Sequence, residues 1–303
     1  MPSCPINLDV IPKGSRYSDV GLKEVHPKLT DLATLQYSAA EQIRQARLRA
    51  DKMSIQGVQP KLSAVLRIKQ QSMQLVDRGG KFILKPNPPM YEAVPANEAL
   101  TMRMAAAVGI EVPVHGLLPA MDGSWVYFIK RFDRVGRTGR IHVEDFSQLT
   151  GASRETKYNS SLEQVAQIID TFCTFPLLEK PKLAKRLLFC YLTGNEDMHL
   201  KNFSLWTTED VVSLAPAYDL LNTTGVLGNA HEETALPLGG KKKNLTRKLW
   251  IDYFCHDRLG LRHSQIDGML QRLHDELPTF KNLIGRSYLS EQAQTRYLEI
   301  LQT

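Results

Sequence analysis

Gly194–Asn202 reads GNEDMHLKN, and a short way downstream Ala215–Leu221 reads APAYDLL. The first stretch leaves an apolar helical run through a glycine, so Asp197 and Asn202, five positions apart, fall in a loop. Asp219 follows between two apolar segments. A carboxylate, an amide five residues later and a second carboxylate about twenty residues beyond form the set that phosphoryl transfer uses. The first carboxylate orients an attacking hydroxyl. The amide oxygen and the second carboxylate hold Mg²⁺, a hard cation that takes oxygen ligands. His199 and Lys201 share the loop and can offset charge on the transferring group. Read in isolation, the same letters also fit a helix-terminal turn and a polar loop, where Asp and Asn are common.

Upstream residues narrow the choice. Lys85 closes the apolar strand KFILKP (Lys81–Pro86), a position from which a lysine can bridge two phosphates of a nucleotide. Glu98 lies thirteen residues on, in a helix able to pack beside that strand and pair with the lysine. Phosphoryl-transfer sites use such a pair to fix the ammonium head. Taken singly, Lys85 also reads as a solvated strand end and Glu98 as an exposed helix residue. SIQGVQPK (Ser54–Lys61) is a weaker signal, matching neither GxGxxG nor GxxxxGK[ST]. Gly57 nevertheless permits close backbone approach, and Gln56, Gly57, Val58 and Gln59 offer successive N–H groups for an anion nest. An ordinary turn at a strand entry is the other reading.

Outward from these motifs, the pattern predicts a helix over Ser38–Arg49, strands over Leu62–Ile68, Lys81–Pro86 and Ser124–Arg131, and a helix from about Pro95 to Gly109. Beyond Phe132 the texture turns helical. Ser161 caps a helix over Leu162–Phe175 that Pro176 ends, and Pro181 opens another over Lys182–Thr193. Two short β-like pieces, Phe203–Trp206 and Val211–Leu214, precede three helices expected after Leu245, Ser264 and Ser290. The fold class is α+β and bilobal, with a strand-rich N-lobe over 1–132 and a helical C-lobe over 133–303. The crevice between such lobes is the default ligand site.

Composition agrees with a globular chain. Of 303 residues, 43% are apolar and 23% charged, which excludes disordered, collagen-like and coiled-coil classes. No apolar run is long enough to span a bilayer, and the opening lacks a basic region followed by an apolar stretch, so a soluble, cytoplasmic protein is expected. The net charge of +6 suits a phosphate-bearing ligand or an acidic partner but is too scattered to argue nucleic-acid binding. Cys4, Cys173, Cys190 and Cys255 lack CxxC or zinc spacing and read as reduced, buried thiols. Lys241–Lys243, running on to Arg247 and Lys248, reads first as a solvated basic turn. HEE at His231–Glu233 lacks the second histidine of a zinc hydrolase motif.

Together these motifs resemble the HipA-type serine/threonine kinase toxins of bacterial toxin–antitoxin modules, most closely their short form, HipT, whose missing N-terminal part is a separate small protein, HipS. The resemblance runs through YSDVGLKEV, SIQGVQPKL, FILKP, NEAL, KRFDR, EDFSQLTG, NEDMHLKNF, YDLLN and LPLGGKKKNLTRK, in that order. It implies a HipA-like protein kinase fold using ATP and Mg²⁺, with Asp197 as the catalytic aspartate and Asn202 and Asp219 as magnesium ligands. Lys85 would take the nucleotide phosphates with Glu98 as its partner, and Gln56, Gly57, Val58, Gln59, Pro60 and Lys61 would line the phosphate loop. Lys130, Arg131 and Phe132 would touch adenine, His199 and Lys201 would face the γ-phosphate, and Tyr218 would join the nucleotide-binding set. Ser54 falls on the serine whose autophosphorylation switches such kinases off, because a phosphoserine brings nearly two negative charges into the place of the ATP phosphates.

The resemblance also implies an aminoacyl-tRNA synthetase as target, tryptophanyl for the HipT branch, and HipS-like and HipB-like antitoxin partners, with DNA reached only through the antitoxin and no membrane contact. The chain departs from eukaryotic kinases in having Glu196–Asp197 for Arg–Asp and Asp219–Leu220–Leu221 for Asp-Phe-Gly. It also lacks an activation segment ending in Ala-Pro-Glu. Two other readings share these residues: a non-catalytic pseudokinase acting as a corepressor module on an antitoxin–DNA complex, and a small-molecule or lipid kinase.

Overall fold

The computed structural model describes residues 2–49, 59–152, 156–228 and 232–302. After helices α1 (Asp19–Val25) and α2 (Ala39–Arg49) come strands β1 (Leu62–Arg67), β2 (Ser72–Leu75) and β3 (Phe82–Pro86), then helix α3 (Val94–Ala107) and strands β4 (His115–Pro119) and β5 (Trp125–Lys130). These five strands form one antiparallel sheet in the order β2-β1-β3-β5-β4. Side chains alternate across a strand, so β3, β4 and β5 each serve two cores. On β5, Val126 and Phe128 join a core with Leu62, Leu84 and the N-terminal residues Ile6, Leu22 and Leu32. Tyr127 and Ile129 face the other way, into the core built by α3 and the helical part of the chain.

The second half begins with the short ribbon β6 (Arg134–Val135) and β7 (Gly139–Arg140), then β8 (His142–Asp145) and α4 (Phe146–Leu149). Helices α5 (Leu162–Phe172) and α6 (Pro176–Leu192) lead to a 3-10 turn at Leu200–Asn202. Strands β9 (Ser204–Thr208) and β10 (Val211–Leu214) form a sheet with β8 in the order β10-β9-β8. Helix α7 (Thr223–Leu227), a π-helix over Leu249–Arg258, and helices α8 (His263–Asp275), α9 (Leu277–Arg286) and α10 (Glu291–Ile300) complete the chain. The result is the bilobal α+β architecture expected from the sequence.

Several local expectations are corrected. The α5 helix ends at Phe172, three residues before the expected Phe175, and α6 opens at Pro176, not after Pro181. A proline is preorganised for the first helical turn, where its missing N–H has no intrahelical partner anyway. Pro181 sits inside α6, one turn on, above the exposed Leu177. Strands β4 and β8 escaped the sequence reading, because HGLLP carries a glycine and a proline and HVED no apolar alternation. The helix expected after Leu245 is wound as a π-helix, and α8 and α9 are two helices where one was foreseen. The Cys4, Cys173, Cys190 and Cys255 thiols are free and buried. No helix among the described residues is long and apolar enough to cross a membrane.

Candidate functional site

Strand parity aims Lys85. Its register partner on β5 is Tyr127, so it points to the α3 side of the sheet, while Leu84 and Phe128 point to the opposite core. There Lys85 Nζ lies 2.6 Å from Glu98 Oε1 on α3, with both side chains buried, and 5.4 Å from the Tyr127 ring centroid. The same ammonium donates to Asp219 Oδ1, and Lys61 Nζ stands 3.7 Å from Asp219 Oδ2. Residues separated by 134 positions in the chain thus meet at one nitrogen.

The electrostatics follow from that grouping. Burial works against the Lys85 charge, but Asp219 and Glu98 outweigh it and hold its ammonium above the ordinary lysine range. Burial opposes the Asp219 carboxylate too, and Lys61 with Lys85 overcome it, so Asp219 stays ionised well below the usual carboxylate range. Glu98 is the member that gives way. Burial, reinforced by the nearby Asp219 charge, pushes it up to about 7 against the pull of Lys85.

Asp219 occupies the left-handed backbone region, with φ +55°. Anchors on both sides hold it there. The Ala217 N–H donates to the Glu111 carbonyl at 2.7 Å, and Arg186 Nη2 donates to the Ala215 carbonyl at 2.7 Å. On the far side, the Asn222 N–H donates to Asn97 Oδ1 at 2.8 Å and Asn97 Nδ2 donates back to the Asn222 carbonyl at 3.1 Å. Asn97 and Glu98 are neighbours on α3, so one helical turn grips both the strand lysine and the segment that carries Asp219.

Gly194, with φ +67°, ends α6 and turns the chain into the Asn195–Asn202 loop. Asn195 Oδ1 accepts from the Asp197 N–H at 3.1 Å, while Asn202 Nδ2 donates to the Asp197 carbonyl at 2.7 Å. With its amide nitrogen so committed, Asn202 turns its oxygen away from that contact. Glu196 ties the loop to α7: its N–H donates to Thr223 Oγ1 at 2.7 Å, and its carboxylate accepts from the Thr224 hydroxyl. His199 is buried and its Nε2 lies 3.9 Å from Asp197 Oδ1. Burial, assisted by Lys157, lowers its pKa below the ordinary histidine range.

Further sequence-derived positions surround this centre. Phe132 stacks on Tyr218, ring centroids 5.9 Å apart, and meets Trp206 edge-on. The Tyr218 hydroxyl contacts Ser204 and donates to the Lys201 carbonyl at 3.1 Å. Lys130 is exposed at the end of β5, and Arg131 is paired with Asp133 at 2.6 Å. Gln59 and Pro60 are half-buried ahead of Lys61. Ser54, Gln56, Gly57 and Val58 lie outside the described residues.

Three contributors were not singled out in the sequence. Asn97 was overlooked beside Glu98. Tyr158 donates to Asp197 Oδ1 at 2.6 Å, and Lys157 Nζ lies 2.6 Å from His199 Nε2. Their only signal was a cation–aromatic pair ahead of the Ser161 helix cap.

A model of the HipA-like C-terminal domain matches residues 53–279, three quarters of the chain. The chain belongs to that family. Among relatives, a Haemophilus influenzae protein named as a candidate kinase is 32% identical over 243 residues, which are 74% of this chain and 69% of that protein. The Shewanella oneidensis serine/threonine-protein kinase toxin HipA is 29% identical over 195 residues, 56% of this chain and 43% of its own. This family member therefore spans about two thirds of one relative and less than half of the other. The HipA chain in the S. oneidensis HipA–HipB–operator DNA complex superposes with a TM-score of 0.71 at 21% identity, over 96% of this chain and 73% of that one.

Proposed function

We propose that this protein is an ATP- and Mg²⁺-dependent serine/threonine protein kinase of the HipA type, acting as the short HipT-like toxin of a toxin–antitoxin module. The observation that carries the reading is the meeting of Lys85, Glu98 and Asp219 beside the loop bearing Asp197 and Asn202. No three His, Cys, Asp or Glu side chains among the described residues converge to hold a metal by themselves. Magnesium sites in phosphotransferases take one or two protein oxygens and the rest from phosphates and water. The Asn202 amide oxygen and the Asp219 carboxylate supply hard oxygen donors, and both fit that ion. When bound, Mg²⁺ would neutralise charge on the nucleotide phosphates.

The chain's own residues do the rest. Lys85, kept cationic by its two carboxylates, takes the nucleotide phosphates, and Glu98 holds its head in place. Asp197 accepts the proton of the acceptor hydroxyl as that oxygen forms its bond to the γ-phosphorus and the bond to ADP breaks. Phe132 and Tyr218 flank the base, and Lys61 with the loop before it faces the phosphates. Little covalent chemistry is left for the protein, so positioning and electrostatics supply most of the rate. The lobe boundary falls after Phe132, and the working compartment is the cytoplasm.

Resemblance extends the reading to an aminoacyl-tRNA synthetase target, tryptophanyl foremost, to HipS-like and HipB-like antitoxins, and to autophosphorylation of Ser54. Incubation with γ-labelled ATP, Mg²⁺ and a bacterial lysate tests the core. The wild type labels itself and a lysate protein on serine, and Asp197→Asn labels neither. Equal labelling by both refutes the assignment, and label confined to small molecules or lipids moves it to another kinase class. Phosphopeptide mapping places the self-label on Ser54 and identifies the target.

A further inference from the structure

A short strap lies over the Asp197 loop, and nothing in the mechanism above uses it. Residues 156–160 lead into the Ser161 cap of α5, turned by a bond from the Asn159 N–H to the Thr156 carbonyl at 2.8 Å. Four contacts fasten the strap to the loop. Lys157 Nζ meets His199 Nε2 at 2.6 Å, and the Leu200 N–H donates to the Lys157 carbonyl at 3.4 Å. The Tyr158 ring stands edge-on to the His199 ring, centroids 5.0 Å apart, under the Lys157 ammonium 4.8 Å from its own centroid. Finally, the Tyr158 hydroxyl donates to Asp197 Oδ1 at 2.6 Å.

The Asp197 side chain is 46% exposed, so packing does not fix its carboxylate. Its backbone is fixed through Asn195, Asn202 and His199, but those bonds end at the N–H and the carbonyl. Among the described residues, the Tyr158 phenol is the group that hydrogen-bonds the carboxylate itself. A carboxylate has two oxygens and about four lone-pair sites, so a phenol on Oδ1 leaves Oδ2 able to accept an acceptor hydroxyl. A short bond to a charged acceptor is among the stronger hydrogen bonds and is directional.

We infer that Tyr158 is a positioning residue for the phosphoryl-transfer reaction: its hydroxyl clamps Asp197 Oδ1 so that Oδ2 faces the incoming acceptor hydroxyl. The inference rests on the kinase reading above. It assigns the strap a role in the chemical step and none in nucleotide binding, since Tyr158 touches Asp197 and His199 and not the Lys85 cluster. Burial and the Asp197 carboxylate both raise the phenol's pKa, so the hydroxyl keeps its proton as the donor this geometry needs.

Tyr158→Phe removes the hydroxyl and keeps the ring on His199. In steady-state assays with a phosphorylatable protein, its kcat falls about tenfold to a hundredfold. The KM for ATP stays within twofold, and the thermal midpoint is unchanged. An unchanged kcat overturns the inference. So does a raised kcat, which would make Tyr158 an obstruction to the acceptor.

A second measurement is independent of turnover. In protein labelled with ¹³C-tyrosine, the Cζ resonance missing from Tyr158→Phe identifies Tyr158, and it shifts in Asp197→Asn when the phenol loses its charged acceptor. A resonance that stays put shows that the contact is not made in solution and overturns the inference, whatever the kinase assay gives. A wild type that transfers no phosphate while that resonance shifts refutes the kinase reading and leaves the clamp on Asp197 standing.

Discussion

Acid should loosen the strand-rich sheet through His115, a residue on its edge strand β4. The imidazole is 3% exposed, its Nδ1 lies 2.8 Å from the Pro113 carbonyl, and its Nε2 is buried. Burial, with Arg103 nearby, lowers its pKa from 6.5 to about 3. The neutral tautomer therefore donates from Nδ1. Below pH 6.5 the unfolded chain takes up a proton that the folded chain refuses until near pH 3, so stability is full above 6.5 and drains away as pH falls. At 1.36 kcal/mol per unit, the 3.5 units between 6.5 and 3 amount to about 5 kcal/mol. From pH 7.5 to 4.5, only the 2 units below 6.5 count, which is about 2.7 kcal/mol. Other groups titrate in the same range, so the measurement is a difference. His115→Asn keeps an N–H for the Pro113 carbonyl and removes the titration, and urea melts of both proteins at each pH give their stability gap. The variant is less stable at pH 7.5 because of the space it leaves, and the gap closes by about 2.7 kcal/mol at pH 4.5. A gap constant across that range would show that His115 is not buried neutral, and the argument would fail.

Three further substitutions probe the site. Glu98→Gln keeps an oxygen for Lys85 but withdraws the charge, so the KM for ATP rises about tenfold while the thermal midpoint barely moves, because the carboxylate is already disfavoured by burial. Asn97→Ala strips two bonds from the buried Asn222 backbone and should cost about 2–4 kcal/mol in denaturant melts; a loss below about 0.5 kcal/mol would show that the α3 clamp carries no load. Gly194→Ala places a Cβ 3.0 Å from Thr224 Oγ1 and 3.1 Å from Ile300 at φ +67°, so about 1–2 kcal/mol of stability and most kinase activity should be lost together. Retained activity would separate the Asp197 loop from the turn that launches it.

What could be read from the sequence was whatever local chemistry encodes. The Asp197–Asn202–Asp219 spacing, the strand ending at Lys85 and the helix carrying Glu98 are each written in contiguous residues, and the structure brings Lys85, Glu98 and Asp219 together. The missing parts depend on long-range partners. Nothing near Asn97 states that its amide will pair with the backbone of Asn222, 125 positions away. Tyr158 reads as a loop aromatic until the fold lays it on Asp197. Residues 2–35 gave no periodic signal, because Cys4, Ile6, Ile11, Leu29 and Leu32 cover the sheet from irregular backbone and bridges, not from one amphipathic helix. Helix α6 was misplaced for a related reason. Both Pro176 and Pro181 can begin a helix, and the long-range partner of the extra turn favours the earlier one: Glu179 is buried there and accepts from the Leu214 N–H at 3.0 Å.

The two neighbouring side chains of α3 explain why those distant parts answer to one another. Glu98 reaches the strand lysine, and Asn97 reaches the backbone three residues past Asp219, so neither end of the Lys85–Asp219 contact can shift without straining the same helical turn. One turn below, Thr101 Oγ1 lies 2.8 Å from the Tyr297 hydroxyl on α10, and both side chains are buried. The helix is thereby anchored to the C-terminal bundle, and its buried face packs on Tyr127 and Ile129 of the sheet. A rotation of α3 by one residue, about 100°, would carry one of Asn97 and Glu98 toward the other's place and turn the other away, breaking both grips at once. The spacing of Lys85 to Asp219 is thus set by a single helical turn that grips both sides of the contact. Loops on either side could then vary without moving the lysine relative to the carboxylate.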